Sequence, residues 1–397
     1  MANLKKNFSD ALEFVNNKVC FVRCDLNLPM VDNIITDFTR LDEIIPTLEK
    51  LISRNGKIIL ISHLGRPQGK VDESLSLEIM VPHIEERLKK AIVFCKEGIF
   101  SSDTVEKIKK LPARGVLLLE NIRFYKQEEE NDEKFSKKLS EYGDIYINES
   151  FSTSHRSHAS ITGISSFLPS FPGKLFEHEI KNLNIITKNL SQSHSIAILG
   201  GAKISTKVAI IESLIKKFNK VLIGGAMANT FIASQGIKIG KSFNEPKMQE
   251  KAYAIIKKYN DKIVLPEDAI VSDSENSENY RSVDITRIKD TEVIYDIGPK
   301  TRKRFFNEII KCEKLLWNGP LGFFEKKPFD NGTNYVASII KSQNSKKFFS
   351  AAGGGDTISA LKQSSYIGYF SFISTGGGAF LEFIEGKSLP GIEILNK

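Results

Sequence analysis

Cysteine, tryptophan and long apolar runs are scarce in this sequence. Its 397 residues include 4 cysteines and 1 tryptophan, and no two cysteines form a Cys-x-x-Cys pair. Cys20 and Cys24 fall on one face of a predicted strand, where buried thiols are the ordinary finding. No stretch reaches the ~18 apolar residues of a membrane-spanning helix, and the N-terminal stretch has no apolar core typical of a signal peptide. We therefore expect a cytoplasmic protein in a reducing compartment, without a membrane partner.

Two common nucleotide-binding motifs are also absent. The chain contains no G-x-x-x-x-G-K-[ST] and no G-x-G-x-x-G, which argues against a P-loop NTPase and against the usual dinucleotide-dependent dehydrogenase. Lysine and arginine outnumber the acidic residues by 56 to 48, but they are scattered and form no long basic block interleaved with aromatics. A nucleic-acid partner is therefore not expected. Small anionic ligands remain as the functional alternative to an ordinary lysine-rich surface.

The length exceeds that of a usual single hydrophobic core, so two domains are expected. Short apolar runs end in polar or glycine-rich turns, and amphipathic stretches such as 37–53, 75–89 and 207–218 follow several of them. Runs that are apolar throughout are typical of parallel strands covered on both faces. The predicted fold class is therefore α/β, with two doubly wound parallel-sheet, Rossmann-like domains joined by a hinge helix. Strands are predicted at residues 19–22, 58–61, 116–119, 145–147, 196–199, 221–223, 263–265, 315–317, 348–351 and 369–373.

A break in regular structure is predicted at residues 167–173, where two prolines and a glycine occur close together. Helical periodicity follows it, and residues 173–189 are predicted to form the helix that connects the two domains. The turns before and after this helix differ in composition. That difference is the main functional signal in the sequence.

In the first half, the turns that follow predicted strands are rich in arginine, histidine, aspartate and asparagine. They lie at residues 23–27, 62–67, 120–123 and 154–156. Ligands of doubly wound sheets bind beyond the carboxyl ends of the strands, so these side chains are expected to converge. Arginines gathered there suit a compact polyanion that bears carboxylate or phosphate groups.

In the second half, the corresponding turns are rich in glycine. They lie at residues 200–203, 224–226, 318–322, 353–356 and 376–378. Glycine lets the backbone approach phosphates, whose charge is then held by N–H groups at helix N-termini. The first half is therefore interpreted as a site for an acidic metabolite and the second as a site for a nucleotide. If the phosphoryl acceptor is a carboxylate, with a pKa near ~4, it needs no general base.

These segments together resemble the phosphoglycerate kinase family. Residues 23–29, 63–67, 118–124 and 155–158 resemble its N-terminal half, and residues 200–203, 317–320, 353–357 and 374–379 resemble its C-terminal half. The match runs in order from about residue 4 to the end of the chain, including 389–391. The ordered set is specific, although no single motif would be.

The resemblance implies a glycolytic phosphotransferase that reversibly transfers a phosphoryl group from 1,3-bisphosphoglycerate to ADP. The products would be 3-phosphoglycerate and ATP, with Mg²⁺ as Mg-ADP or Mg-ATP. It also implies direct in-line transfer in a monomer whose two domains close, with the C-terminal segment folded back onto the first domain. The expected domains are 1–172 with 385–397 for the acidic substrate, 173–189 for the hinge helix and 190–384 for the nucleotide.

Carried over residue by residue, the resemblance implies three sets of site residues. The expected 3-phosphoglycerate ligands are Asp25, Leu26, Asn27, Arg40, His63, Leu64, Gly65, Arg66, Arg123 and Arg156. The expected nucleotide ligands are Gly200, Gly201, Ala202, Lys203, Lys207, Gly224, Gly225, Gly298, Asn318, Pro320, Glu325, Gly354, Gly355, Asp356 and Thr357, with Asp356 also on the metal. The expected catalytic residues are Arg40, Lys203, Lys207, Gly376, Gly377 and Gly378.

The chain departs from the family pattern at three places. Ser152 stands where the family usually has glycine, and a positive φ there would strain serine. Glu149 stands where aspartate is usual, and the stretch before residues 296–299 is also unusual. These departures bear on loop geometry and leave the phosphate-binding positions intact.

Two further functions compete with this interpretation. One is a different acyl-phosphate kinase of the same two-lobed plan, which a substrate panel would separate. The other is a catalytically silent binding protein, although Arg40, Lys203 and Asp356 are all retained and a silent relative could lose any of them. A nucleic-acid partner is the weakest alternative, and steep salt dependence of duplex binding would be its sign.

Overall fold

Two six-stranded parallel sheets organise the chain, as the alternation of apolar runs and helices predicts. The structure is a computed structural model that describes residues 4–343 and 345–396. It forms two compact units. The first unit comprises the chain up to Lys181 together with the segment that begins at Ser388, and the second is Asn182–Lys387. Within the described ranges, no helix is both long and apolar enough to cross a membrane.

The first unit is built on a parallel sheet whose strand order is β5-β6-β4-β1-β7-β8. Most residues of its central strands are buried, because helices cover both faces. A short antiparallel pair, β2 with β3, lies outside this sheet. The strands are β1 (Val19–Arg23), β2 (Met30–Val31), β3 (Ile34–Ile35), β4 (Lys57–Ile61), β5 (Val93–Cys95), β6 (Val116–Leu119), β7 (Ile145–Asn148) and β8 (Ser170–Pro172).

The helices of this unit present apolar residues at helical spacing. In the longest, Thr39–Ser53, the residues Leu41, Ile44, Leu48 and Leu51 are buried and form one stripe against the sheet. The division between the two units falls inside the last helix of the series. The helices are α1 (Phe8–Ala11), α2 (Thr39–Ser53), α3 (Val81–Leu88), α4 (Ser102–Lys110), α5 (Lys126–Glu129), α6 (Glu133–Ser140) and α7 (Lys174–Thr187).

The second unit has a parallel sheet of order β11-β10-β9-β15-β16-β17 and a separate three-stranded antiparallel sheet of order β13-β12-β14. The sequence reasoning did not predict the antiparallel sheet. The strands are β9 (Ser195–Leu199), β10 (Lys220–Ile223), β11 (Ile263–Val264), β12 (Asp268–Ser272), β13 (Tyr280–Asp284), β14 (Val293–Ile297), β15 (Lys314–Asn318), β16 (Phe349–Gly353) and β17 (Phe372–Ser374). The helices are α8 (Val208–Lys217), α9 (Gly225–Ala233), α10 (Gln249–Tyr259), α11 (Pro299–Ile309), α12 (Asn331–Ser342), α13 (Gly355–Gln363) and α14 (Gly377–Glu385).

The predicted fold class is confirmed, but some local predictions are wrong. Residues 167–173 do not form a simple break, because β8 pairs in parallel with β7 there. Proline is tolerated in β8 since it is the edge strand of the sheet. The run predicted at 369–373 begins its strand only at Phe372.

The C-terminal segment packs against the loop that follows β7. It contains α15 (Pro390–Glu393), which belongs to the first unit. The N–H of Gly391 donates to the carbonyl of Ser154 at 2.9 Å. A side chain at Gly391 would collide with Ser154, since its Cβ would lie 2.6 Å from the Ser154 Oγ. The end of the chain therefore supports the loop that carries Arg156.

A buried carboxylate holds the N-terminus of α7. Glu149 accepts hydrogen bonds from the backbone N–H groups of Leu175 at 3.1 Å and Phe176 at 3.3 Å. The Thr47 hydroxyl on α2 donates to the same carboxylate and accepts from the N–H of Lys174 at 3.0 Å. These N–H groups have no partner within the helix, and the helix dipole favours an acceptor there. Glutamate at this position is thus accommodated as a cap of α7.

Burial raises the pKa of Glu149 to about 7, from an ordinary value near 4.5. Between these values the folded protein keeps a proton that the unfolded chain has lost, so the contribution of Glu149 to stability declines as pH rises through this window. Glu149→Gln removes this decline. We expect the variant to gain stability relative to the parent between pH ~5 and pH ~8, by up to ~3 kcal/mol at ~1.36 kcal/mol per pKa unit.

Thermal melts at several pH values measure this effect as the difference in Tm between variant and parent. Exposed Glu141→Gln is the matched control, since it makes the same chemical change on the surface. Parallel Tm profiles for the parent and Glu149→Gln would contradict the prediction.

Candidate functional site

Arg23 is the centre of a buried polar cluster at the carboxyl end of β1. Its side chain is fully buried, its Nε donates to Ser160 Oγ at 2.9 Å, and its Nη2 lies 3.1 Å from His63 Nδ1. Ser160 in turn donates to buried Glu128, through its hydroxyl at 2.6 Å and its N–H at 2.8 Å. Burial raises the pKa of Glu128, but nearby His158 and Arg23 outweigh it, so this pKa lies below its usual value. One serine therefore links a buried cation to a buried anion.

His63 is held neutral by its surroundings. Burial lowers its pKa well below the ordinary value; Asp25 opposes this, while Arg23, Arg123 and Arg156 reinforce it. A guanidinium only donates hydrogen bonds, so the His63 Nδ1 facing Arg23 is an acceptor and the ring proton is on Nε2. His63 is consequently a neutral N–H donor at the end of β4.

Positive charge in this cluster exceeds what the protein itself compensates. Arg123 donates from Nη1 to the carbonyl of Gly65 at 2.9 Å, and its Nε lies 3.4 Å from a Glu129 oxygen. Burial lowers the pKa of Arg123 to about 10, and the charges of Arg23 and Arg156 add to the effect. Among the described residues, the buried Arg123 Nε has no hydrogen-bond partner. Such a cluster is suited to bind a phosphate or carboxylate group.

Asp25, Asn27 and Arg40 form a hydrogen-bonded group next to this cluster. Asp25 Oδ1 accepts from the N–H of Asn27 at 3.0 Å, and Arg40 Nη1 lies 3.3 Å from Asp25 Oδ2. Arg40 also donates to the Asn27 carbonyl at 2.8 Å. The hydroxyl of Ser152 donates to Asp25 Oδ2. Burial raises the pKa of Asp25, but the charge of Arg40, the Ser152 hydroxyl and the charge of Arg23 outweigh it and bring the pKa to about 2.

The remaining predicted residues of this unit occupy different environments. Leu26 and Leu64 are buried in the hydrophobic core, so only their backbone is available to a ligand. The N–H of Gly65 donates to Asn27 Oδ1 at 2.9 Å. Arg66 is exposed, and its side chain makes no hydrogen bond or ion pair with any described residue. Arg156 is partly buried, with its Nε 3.3 Å from His155 Nε2.

Two strand ends cross closely in the second unit. The N–H of Gly200 donates to the carbonyl of Asn318 and the N–H of Gly201 to that of Pro320, both at 2.9 Å. A Cβ at Gly200 would lie 2.0 Å from the Pro320 carbonyl oxygen, so only glycine fits. These residues follow β9 and β15, where the strand order of the sheet reverses. Ligands bind at this point in open α/β sheets.

Lys207 is hydrogen-bonded into this crossing. Its Nζ donates to the Gly200 carbonyl at 2.9 Å and to Asn318 Oδ1 at 2.8 Å. Asn318 Nδ2 donates to the carbonyl of Gly353 at 2.7 Å, and Thr357 Oγ1 accepts from the Gly319 N–H at 2.7 Å. Burial lowers the pKa of Lys207 to about 8. The network therefore connects the loops after β9, β15 and β16.

The glycine triplets lie at helix N-termini. Gly354 caps α13 with φ at 99°, a conformation that side chains rarely adopt. Gly376 caps α14, which includes Gly377 and Gly378 and follows β17. The first turn of a helix offers unpaired N–H groups and a positive dipole end to an anion. Lys203 is exposed on the loop that precedes α8.

A cavity of about 390 Å³ adjoins these loops within the second unit. This volume is in the range of small-molecule sites. The wall includes Phe243, Tyr295 and Phe324, which sequence reasoning did not identify because apolar lining has no local motif. The predicted residues on the wall are Gly201, Ala202, Gly225, Pro320, Glu325 and Asp356.

Nine predicted nucleotide residues are not among the described residues that form this wall: Gly200, Lys203, Lys207, Gly224, Gly298, Asn318, Gly354, Gly355 and Thr357. Most of these lie in the loop crossing or at the N-terminus of α13, but Gly224 and Gly298 have other surroundings. Gly224 packs against Leu321, which would meet a Cβ at 2.5 Å. Gly298 precedes α11 and donates its N–H to the carbonyl of Asp268 at 3.0 Å. In the structure, Gly224 and Gly298 therefore contribute to packing and backbone hydrogen bonding within the second unit.

Comparisons with known proteins agree with this architecture. A family model described as "Phosphoglycerate kinase" matches residues 10–387. The phosphoglycerate kinase of Orientia tsutsugamushi (strain Ikeda) is 44% identical, over 98% of this chain and 97% of that protein. That of Rhodospirillum centenum is 40% identical over 96% of this chain and 97% of that protein. Among solved structures, phosphoglycerate kinase from Coxiella burnetii matches with TM-score 0.86 and 34% identity, and that from Pyrococcus horikoshii with 0.82 and 30%, each covering 96% of both chains.

Two parallel-sheet α/β units, matched over nearly their whole length by kinases, define a transferase of the two-unit α/β class. Within that class the assignment is narrower. The chain belongs to the phosphoglycerate kinase family.

The lowered pKa of Lys207 predicts that the affinity for ADP depends on pH. With a pKa of about 8, Lys207 loses its charge as pH rises through that value, and a neutral amine attracts phosphate less strongly. If the protonated form binds ADP, the dissociation constant is expected to rise about tenfold between pH ~7 and pH ~9, in proportion to the lost fraction. Lys207→Arg keeps its charge and is expected to show less than about a twofold change.

Fluorescence of the only tryptophan, Trp317, measures this binding. Its Nε1 donates to the Gly319 carbonyl at 2.8 Å, within the loop crossing. Equal pH dependence in the parent and in Lys207→Arg would remove Lys207 from the phosphate site.

Proposed function

We propose that this protein catalyses the reversible, Mg²⁺-dependent transfer of a phosphoryl group from 1,3-bisphosphoglycerate to ADP, giving 3-phosphoglycerate and ATP. The first unit takes the acidic substrate and the second takes the nucleotide. The transfer is direct and in-line, with closure of the two units. As the resemblance implies, the protein acts as a monomer in the cytoplasm.

The observation that carries the proposal is the cluster in which the under-compensated cations Arg23 and Arg123 lie beside the neutral donor His63. It would hold the phosphate that is not transferred, with Arg156 and Arg66 as further donors. The neighbouring Asp25 and Asn27 offer oxygen acceptors to a hydroxyl group of a glycerate. A phosphate and a hydroxyl together favour a phosphorylated hydroxy acid over another acyl acceptor.

The second unit supports the nucleotide part of the proposal. The close backbone crossing at Gly200 and the helix N-termini at Gly354 and Gly376 are suited to phosphate groups, and the apolar cavity is suited to a base. Lys203 and Lys207 would neutralise charge on the nucleotide phosphates and on the group in transfer. Glu325 on the cavity wall is an acceptor for the ribose hydroxyls.

Asp356 is the residue that would hold Mg²⁺. It is exposed in the first turn of α13 and lines the cavity, and its carboxylate makes no hydrogen bond with any described residue. The described part of the chain has no cluster of three or more His, Cys, Asp or Glu that could cage a metal. This fits Mg²⁺, which commonly binds one or two carboxylates, substrate phosphates and water. When bound, the ion would neutralise charge on the nucleotide phosphates.

No general base is required, because the attacking group of 3-phosphoglycerate is an ionised carboxylate at neutral pH. The transition state carries negative charge on three equatorial oxygens, so catalysis rests on alignment and on fixed donors. Arg40 is the candidate donor from the first unit. In this structure it is held by Asp25 and Asn27.

A coupled assay tests the proposal. Purified protein is combined with 3-phosphoglycerate, Mg-ATP, NADH and glyceraldehyde-3-phosphate dehydrogenase, and absorbance of NADH is followed. Loss of NADH that requires every component is the expected result. Folded protein that produces no loss would overturn the substrate assignment and favour a different acyl acceptor or a silent binding protein.

Arg40→Ala is expected to lower kcat by at least about 100-fold, the usual effect of removing a donor to the transition state. Its Tm should change little, because the side chain is partly exposed. Arg54→Ala, at the other end of α2 and exposed, is the matched control and should retain full activity. Near-normal turnover of Arg40→Ala would refute the role proposed for Arg40.

Asp356→Asn is expected to raise the Mg²⁺ concentration at half-maximal rate by about tenfold, since one charged ligand is lost. The KM for 3-phosphoglycerate should remain unchanged. Exposed Glu250→Gln on α10, which does not line the cavity, is the control. A Mg²⁺ titration of the initial rate in which Asp356→Asn behaves as the parent would exclude Asp356 as the metal ligand.

A further inference from the structure

Ser152 forms a hydrogen bond to Asp25 that the glycine usual at this position in the family could not form. It lies in the short 3-10 turn Phe151–Thr153 that follows β7, and its hydroxyl donates to Asp25 Oδ2. Glycine, which the family usually has at this position, cannot form this bond. Ser152 is not among the residues with positive φ, so serine is accommodated without backbone strain.

The hydrogen bonds of the Asp25 carboxylate show what this contact does. Within the described part of the chain, Oδ2 has two partners, the Ser152 hydroxyl and Arg40 Nη1 at 3.3 Å, whereas Oδ1 has the N–H of Asn27 at 3.0 Å. An ionised carboxylate accepts about four hydrogen bonds, two at each oxygen, so one acceptor position on Oδ1 remains unused. Because both carboxylate oxygens of Asp25 are hydrogen-bonded, rotation of the carboxylate plane is restricted. The unused acceptor position on Oδ1 therefore keeps a fixed direction.

We propose that Ser152 is a positioning residue that orients Asp25 toward the hydroxyl group of the three-carbon acid substrate. The proposal rests on the proposed function, since it requires that Asp25 binds this hydroxyl. Ser152 acts through Asp25 and does not itself touch the reacting atoms. Without the serine hydroxyl, Arg40 becomes the only partner of Oδ2 among the described residues, and the carboxylate can turn toward it.

The expected effect is on the acidic substrate alone. Loss of a hydrogen bond to a charged group is expected to raise the KM for 3-phosphoglycerate about five- to tenfold in Ser152→Ala. The KM for ATP and the kcat should stay within about twofold, because Ser152 acts through Asp25 and Arg40 keeps its hydrogen bond to the Asn27 carbonyl. Ser152→Thr keeps a hydroxyl and should remain near the parent values.

A double-mutant cycle between the protein and the ligand makes the test specific. Binding of 3-phosphoglycerate and of 3-phosphonooxypropanoate, which lacks the C2 hydroxyl, is measured by calorimetry for the parent, Ser152→Ala and Ser152→Thr. Ser152→Ala is expected to weaken 3-phosphoglycerate at least about threefold more than the deoxy ligand, which is the coupling expected of groups that act on one another. Exposed Ser157→Ala, in the same loop, is the matched control and should alter neither affinity.

The outcomes separate the two hypotheses. If the parent turns over 3-phosphoglycerate and Ser152→Ala weakens both ligands equally, or neither, the positioning role is wrong while the proposed function stands. If the parent neither binds nor turns over 3-phosphoglycerate, the proposed function and the positioning role both fail. Loss of affinity in Ser152→Thr equal to that in Ser152→Ala would also overturn the inference, since the hydroxyl would then be irrelevant.

Discussion

A surplus of positive charge in a dry environment is the constraint around which the first unit is arranged. Arg23 is fully buried and adjoins neutral His63, while Arg123 is nearly buried, and its Nε makes no hydrogen bond among the described residues. Bringing these cations together costs free energy, which the protein offsets in part through Ser160 and buried Glu128. Full compensation would remove the attraction for an anion. The partial compensation therefore permits folding and still leaves positive charge that attracts an anion.

The second unit meets the same need for anion binding with backbone in place of side chains. Gly200 and Gly319 approach so closely that neither can carry a Cβ, and this brings the ends of β9 and β15 together where the strand order reverses. Lys207 and Asn318 then tie the crossing to the loop after β16. Backbone N–H groups at helix N-termini are already oriented, so little entropy is lost when they bind a phosphate.

Departures from the family pattern acquire definite physical roles in the folded chain. Glu149 reaches the first turn of α7 and satisfies N–H groups that would otherwise be unpaired, at the expense of burying a carboxyl group. Ser152 extends the hydrogen bonding of Asp25 without a strained backbone. Both contacts join residues more than 20 positions apart in sequence, as with Glu149 and Leu175, so the substitutions alone do not reveal what each side chain touches.

The sequence by itself determined the α/β class, most strands, the acidic-ligand turns and the glycine-rich turns, because period and composition are local signals. It could not show that Arg23 pairs with His63, that Glu128 and Ser160 lie behind them, or that Ser152 touches Asp25, since these contacts depend on which strands become neighbours. The same holds for the antiparallel sheet and for the apolar cavity wall, which have no local motif. Only tertiary structure decided the burial of Leu26 and Leu64 and the shifts in pKa at His63, Glu149 and Lys207. Desolvation and the distance between charges are properties of the folded chain alone.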